Sequence, residues 1–219
     1  MTPEAFQKAS GASDDVLARL RAYAALLEKW QRKINLVGGG SLGDVWRRHI
    51  LDSAQLGPYL SPGLPAGGKG AAKIIADIGS GAGFPGLVLA ITQAGTGAEA
   101  GAEFHLIESH QRKCAFLKEA NRITGAGVVI HHNRIEKMSG FKADIVIARG
   151  VAPLETLLQY AFPMLKKGGQ CFFLKGKKWD EELTETQKKW TMKESMTQSL
   201  SDPSCIILKL EAIKRRDDS

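Results

Sequence analysis

From Lys73 onward the chain alternates short apolar runs with helical patterns, and this restricts the fold more than any other feature. KIIADIG reads as a buried strand and GLVLAIT as the start of a helix. FHLIES is a second strand, QRKCAFLKEANRITG a helix ending at Gly125, VVIHH a third strand and ADIVIARG a fourth. LETLLQYAFPMLKKGG reads as helix and turn and QCFFLKGK as a fifth strand; a polar helix near Asp180 to Trp190 and a closing strand, CIILKLEAI, follow. Near-continuous apolar strands separated by helices belong to a parallel sheet covered on both faces. The expected class is α/β with a doubly wound sheet.

The first third of the chain has a different texture. Ser13 suits an N-cap, and Asp14 and Asp15 suit the positive end of a helix dipole. Leu17, Leu20, Ala24, Leu27 and Ile34 recur at helical spacing, which predicts one amphipathic helix ending near Asn35. Gly38-Gly39-Gly40 breaks it, and a second helix is expected from Leu42 to Leu56. SPGLPAGGKGAA then reads as a linker. The expected organisation is a small helical N-terminal cap over 1–60, a linker over 61–72 and the sheet domain over 73–219.

Composition bounds the function. Hydrophobic residues make up 43% and charged residues 24% of 219 positions, ordinary for a soluble globular chain. No run approaches the roughly 18 apolar residues of a membrane span, and Met1 to Ser10 lacks the pattern of a secretion signal. A cytoplasmic protein is expected. Cys114, Cys171 and Cys205 are odd in number and far apart, against a disulfide framework and against a zinc site; no metal is expected. The net charge of +7 favours a polyanionic partner. Seven basic residues against two acidic ones lie between Arg19 and Arg48.

The segment ADIGSGAGFPG, Ala76 to Gly86, sits where the first strand hands over to the first helix. Ligands of doubly wound folds lie outside the carboxyl ends of the strands, where glycines let them touch the main chain. A dinucleotide fingerprint fits Gly79 and Gly81 but meets Phe84 at its third glycine. A phosphate loop fails in the linker, where Gly70 follows Lys69 in place of a hydroxyl. The remaining pattern is an acidic residue followed by G-x-G-x-G: Asp77, Gly79, Gly81 and Gly83. It resembles the motif of S-adenosylmethionine-dependent methyltransferases. A sulfonium amino acid carries no phosphate, so a side chain such as Phe84 is tolerated. Glu108, at the end of the second strand, is placed to accept hydrogen bonds from ribose hydroxyls. It lies beyond the usual ~20 residues, and the Gly/Ala-rich QAGTGAEAGAE accounts for the surplus. A tight turn without ligand and a plain strand-end charge are the structural alternatives.

Six segments in order carry a closer resemblance: KINLV, RRHILDSAQL, ADIGSGAGFPGLVLAI, HLIESHQRKCAFLKE, DIVIARGVAPL and FFLKGK. Over Leu26 to Lys178 the chain resembles the ribosomal small-subunit methyltransferase G family, also called glucose-inhibited division protein B. The resemblance implies a Rossmann-like methyltransferase sheet. It also implies S-adenosylmethionine as donor and S-adenosylhomocysteine as product. The substrate would be 16S rRNA, as RNA, small subunit or precursor, methylated at N7 of one guanine near the decoding site. Beside Gly81, Gly83 and Glu108, the family's cofactor contacts fall on Gly79, Phe84, Ile135, Glu136 and Arg149. RNA contacts are expected from Arg32, Lys33, Arg47, Arg48, Lys175, Lys177 and Lys178, and a monomer is expected. NLVGGGSLG departs from the family in being glycine-rich, and the tail after Trp179 aligns with little.

Guanine N7 carries a lone pair and no proton, so its methylation asks for alignment rather than a general base. No essential acid–base residue is expected. His49 and Asp52, three apart, share one helix face. They are either a buried pair fixing the cap to the sheet domain or a wall facing RNA. His105, His110, His131 and His132 are read as structural. Two other functions stay open here: a small-molecule methyltransferase, and an RNA-binding assembly protein on an inactive methylase fold.

Overall fold

The computed structural model describes residues 1–60, 72–94 and 101–218. All but residue 72 of the expected linker, and most of QAGTGAEAGAE, lie outside the described residues. The N-terminal segment forms α1 (Pro3–Ser10) and α2 (Asp14–Gln31). A 3-10 turn at Leu42–Asp44, a π-helical stretch at Trp46–Leu51 and two short α-turns, α3 (Asp52–Ala54) and α4 (Gly57–Leu60), follow.

The rest alternates as expected: β1 (Lys73–Ile78), α5 (Gly86–Ala94), β2 (Ala102–Glu108), α6 (Gln111–Thr124), β3 (Val129–His132) and β4 (Ala143–Arg149). Then come α7 (Leu154–Ala161), β5 (Leu165–Lys175), α8 (Trp179–Gln187), β6 (Trp190–Gln198) and β7 (Ile206–Arg215). The seven strands run in the order β3-β2-β1-β4-β5-β7-β6. Strands β1 to β5 pair in parallel, and β7 enters antiparallel between β5 and β6.

Each central strand is buried on both faces. Ile75, Ile145, Ile147, Phe172 and Leu174 point into one apolar cluster, shared with α2, α5, α6 and the π-helical stretch. Ala76, Ile78, Val146, Ala148, Cys171 and Phe173 point into the other, covered by α7 and α8. This period of two is the strand geometry itself, and double burial is why the strands read as unbroken apolar runs. The first cluster is continuous from Phe6 in α1 to Ile207 in β7, so residues 1–60 and the sheet share one core.

Several expectations meet a different local structure. The Ser13 hydroxyl caps α2 by accepting from the Val16 N–H, but the helix stops at Gln31 rather than near Asn35. The Gln31 side chain folds forward, accepting from the Leu36 and Val37 N–H groups and donating to the Val37 carbonyl. The single helix expected over Leu42 to Leu56 is interrupted. In its π-helical stretch, the Arg48 carbonyl accepts from Arg149 and the His49 carbonyl from the Ser53 hydroxyl. Side chains inserted into a helix ladder widen it in this way. The helix α1, capped by Thr2, and the edge strand β6 were not foreseen.

One hydrogen bond docks α2 on the loop after β1. The Tyr23 hydroxyl, fully buried in α2, donates to the Ala82 carbonyl at 2.6 Å, and its ring packs edge-on against Phe84. Tyr23→Phe keeps the packing and leaves the Ala82 carbonyl without its donor. We expect a loss of about 1–2 kcal/mol in urea unfolding; an unchanged midpoint would show that the docking does not depend on this bond.

Candidate active site

Strand order reverses at β1, whose neighbours are β2 and β4, and this switch point opens a crevice at the carboxyl ends. The loop after β1 is closed on itself by a buried carboxylate. Asp77 Oδ2 accepts from the Gly86 N–H at 3.0 Å, bracketing the first and last turns of the loop. A Cβ on Gly86 would stand 2.5 Å from Leu106 Cδ2 and 2.7 Å from Asp77 Oδ2, so only glycine allows this approach. Burial pushes the Asp77 carboxyl up to about 7 against the pull of the Gly86 N–H, and its Oδ1 has no hydrogen-bond partner among the described residues.

Gly79, Gly81 and Gly83 all have positive φ, at 68°, 58° and 97°. Gly79 and Ser80 donate their N–H groups to the Ile107 carbonyl of β2, which turns the loop outward. A Cβ on Gly79 would strike Val151 at 2.7 Å, whereas one on Gly81 meets only the Gly79 carbonyl oxygen at 3.8 Å, so open space lies over Gly81. Glu108, 7% exposed, accepts from the Gly81 N–H on Oε2 (2.9 Å) and from the His110 N–H on Oε1 (2.7 Å). Each carboxylate oxygen keeps a further lone pair for an incoming hydroxyl.

Phe84 is buried rather than lining open space. Its ring stacks on His49 at 4.9 Å and carries the Arg149 guanidinium at 4.9 Å from its centroid. Arg149, at the end of β4, donates to the Arg48 carbonyl (2.9 Å), to Asp52 Oδ2 (3.0 Å) and to His49 Nδ1 (2.5 Å). A guanidinium only donates, so His49 Nδ1 is the acceptor and the ring proton sits on Nε2. Nε2 lies 2.7 Å from the Ser41 hydroxyl, which donates onward to the Gly38 carbonyl. Burial and the neighbouring Arg149 and Arg48 push His49 down to about 3, so it stays neutral.

Asp52 is equally committed. Its Oδ1 accepts from Gln55 Nε2 (2.9 Å), Ser199 Oγ (3.2 Å) and Ser201 Oγ (2.5 Å). His49 and Asp52 thus join the helical segment over 46–54 to β4 and to the turn between β6 and β7. Ser199 and Ser201 were missed in the sequence; nothing local marks them, because their partner lies about 150 residues away. Beside this network lies a cleft of about 460 Å³ whose lining includes Arg47, Arg48, Asp52, Arg149, Lys175 and Asp202.

The remaining predicted residues are scattered around this centre. Ile135 and Glu136 form a 3-10 turn after β3, with Ile135 packed on the second core cluster and Glu136 exposed. The Glu136 charge and hydrogen bond, after burial, raise the Tyr160 phenol. Arg32, Lys33, Lys177 and Lys178 are exposed. Arg47 pairs with Asp44, and Arg48 reaches the Gly40 carbonyl, which brings the glycine-rich loop beside the cleft. Lys175 is buried, paired with Glu182 at 2.5 Å. His105 and His131 lie together on β2 and β3 against Phe141, away from the crevice. Among the described residues no group of three or more His, Cys, Asp or Glu is placed to hold a metal ion, and no helix is long and apolar enough to cross a membrane.

Fold and crevice are those of a Rossmann-like methyltransferase. Magnesium protoporphyrin IX methyltransferase from Synechocystis, solved with bound S-adenosylmethionine, superposes with a TM-score of 0.58 over 91% of this chain and 98% of that one, at 15% identity. A fibrillarin/Nop5p complex gives 0.52 over 74% and 81%, at 14% identity.

The family is narrower than the fold. The model of the rRNA small subunit methyltransferase G family matches residues 16–205, and the chain belongs to that family. Ribosomal RNA small subunit methyltransferase G of Paramagnetospirillum magneticum is 46% identical over 98% of both chains. That of Rhodospirillum rubrum is 48% identical over 98% of this chain and 100% of its own. The donor of the family is S-adenosylmethionine, and the residues present fit it: an open main-chain cradle over Gly81 beside a carboxylate with spare lone pairs.

The depressed His49 value has a measurable sign. Unfolded, the imidazole takes up a proton below about 6.5; folded, it does so only near 3. Its contribution to stability is therefore complete above pH 6.5 and is lost as pH falls toward 3. Relative to His49→Gln, the wild type should lose roughly 2 kcal/mol between pH 7 and 5; parallel stability curves in urea would contradict this.

Proposed function

We propose that this protein methylates N7 of one guanine in bacterial 16S rRNA, close to the decoding site. The observation that carries the reading is the juxtaposition of two half-sites. A bare loop with Glu108 lies at the end of β1 and β2, and a basic cleft lies at the ends of β4 and β5, with Arg149 between them. In this reading Gly79, Gly81, Gly83, Glu108, Ile135 and Glu136 surround the donor. Phe84 supports Arg149, and the cleft receives the purine. Residues 1–60 act as a cap and 73–219 as the transfer domain, in a cytoplasmic monomer.

S-adenosylmethionine, when bound, supplies an electrophilic methyl group. The chain's task is to hold the N7 lone pair in line with it at near-attack distance. Neither side chain that bonds Arg149 is free to act as a base: His49 is neutral with both nitrogens engaged, and both Asp52 oxygens are occupied. N7 has no proton to remove, so none is needed. The product purine is cationic; Asp52 is neutralised by Arg149, which leaves the Asp202 carboxylate of the cleft to favour it electrostatically. Arg32, Lys33, Arg47, Arg48 and Lys177, all exposed, are assigned to the RNA backbone. Lys175 and His49, both buried, are assigned to the cleft wall.

Borohydride reduction and aniline cleavage of 16S rRNA, read by primer extension, tests the reaction. One cleavage near the decoding site should vanish in cells lacking this protein and return on re-expression; an unaltered pattern would refute the reading. Affinity for 16S rRNA should fall with salt, and removing one backbone cation, as in Arg48→Gln, should flatten the log–log slope by about 0.7–0.9. Binding that ignores salt would remove the basic residues from the account.

A further inference from the structure

We propose that Asp202 is the residue that selects guanine, accepting hydrogen bonds from N1–H and the N2 amino group of the extruded base. The inference rests on the guanine-N7 reading above and adds the means of discrimination.

The target chemistry makes a separate reader necessary. Adenine also presents an N7 lone pair, so alignment at N7 does not distinguish the two purines. On the far edge, guanine offers two adjacent donors, N1–H and N2–H, where adenine offers an N1 acceptor and only a C–H at C2, its one amino group lying at C6. A carboxylate accepts both donors of guanine and leaves adenine unmatched. Sites built to bond a particular polar edge reject the wrong base strongly, because their own groups are left unpaired.

Among the described residues lining the cleft, only Asp52 and Asp202 carry carboxylates. Asp52 is filled by Arg149, Gln55, Ser199 and Ser201. Asp202 is half filled. Its Oδ1 accepts from the Ser204 N–H (2.9 Å) and hydroxyl (2.6 Å), and no hydrogen bond falls on Oδ2 among the described residues. The same Ser204 bonds hold the carboxyl below its ordinary range, so it is ionised at neutral pH.

Its position is fixed from beneath. The Ser199 N–H donates to the Cys205 carbonyl and the Cys205 N–H to the Asp202 carbonyl, each at 2.9 Å. The Leu200 N–H donates to Gln55 Oε1 at 2.8 Å. The turn that presents Asp202 is thereby docked on the same Asp52–Gln55 pair that holds Arg149. The cations of the cleft do not compete for the role, since they can only donate, and guanine's N1 and N2 are themselves donors.

Asp202→Asn separates reading from folding. Its amide oxygen can still accept from Ser204, while the free oxygen becomes an NH2 group facing two donors. Methyl transfer is compared on 30S particles assembled with guanosine or inosine at the target position; inosine keeps O6 and N1–H but lacks the N2 amino group. The wild type should prefer guanosine by about tenfold or more. In Asp202→Asn the guanosine rate should fall roughly 10- to 100-fold and the preference should shrink toward one, with adenosylhomocysteine affinity and thermal melting unchanged. A wild type that treats the two particles alike overturns the inference without any variant. So does an Asp202→Asn enzyme that keeps both rate and preference. A wild type that leaves N7 of guanosine unmethylated overturns the guanine-N7 reading and this inference together, and that arm is scored separately.

Discussion

Arg149 is the point at which three distant parts of the chain meet. It ends a central strand, lies over the Phe84 ring of the glycine loop, and bonds Asp52, His49 and the Arg48 carbonyl of the N-terminal helical segment. The Arg149 and Asp52 side chains retain only 18% and 12% of their exposure. Buried pairs of this kind contribute little net stability over apolar replacements, but deleting one partner strands the other at about 3–5 kcal/mol. What the pair provides is geometry: it fixes where the π-helical stretch, the β6–β7 turn and the cleft stand relative to the glycine loop after β1.

That geometry suits a reaction limited by alignment. The two side chains that bond Arg149 are tied into structure, His49 by hydrogen bonds on both nitrogens and Asp52 by four donors. A network so fully satisfied is rigid, because any rotation leaves a buried polar group unpaired. Rigidity beside the crevice is what a methyl transfer to an unprotonated nitrogen requires. In the proposed reading, affinity for the RNA comes from the exposed cations and selectivity from the rim of the cleft.

Much of this was legible in the sequence, for identifiable reasons. The parallel strands announced themselves because both faces are buried, and the loop from Asp77 to Gly86 because its φ values and close approaches admit glycine. Helix α2 was visible in its Ser13 cap and apolar stripe. Strand β6 was not, since it lies at an edge with most of its residues exposed, and its pattern is mainly polar. The π-helical stretch was invisible because the Arg149 group that enters its ladder comes from about a hundred residues away. His49 and Asp52 could be paired from their spacing, but not their shared partner. Ser199, Ser201 and Asp202 sit in a turn whose meaning exists only in three dimensions.

The account stands on the claim that the main chain from Gly79 to Gly83, with Glu108, holds the methyl donor. Calorimetric titration of S-adenosylhomocysteine into the wild type and Glu108→Gln addresses it most directly. We predict a single site in the wild type, weakened about 10- to 100-fold in the variant, as expected for lost bonds to a charged acceptor. Equal affinities, or no heat of binding to the wild type, would contradict it.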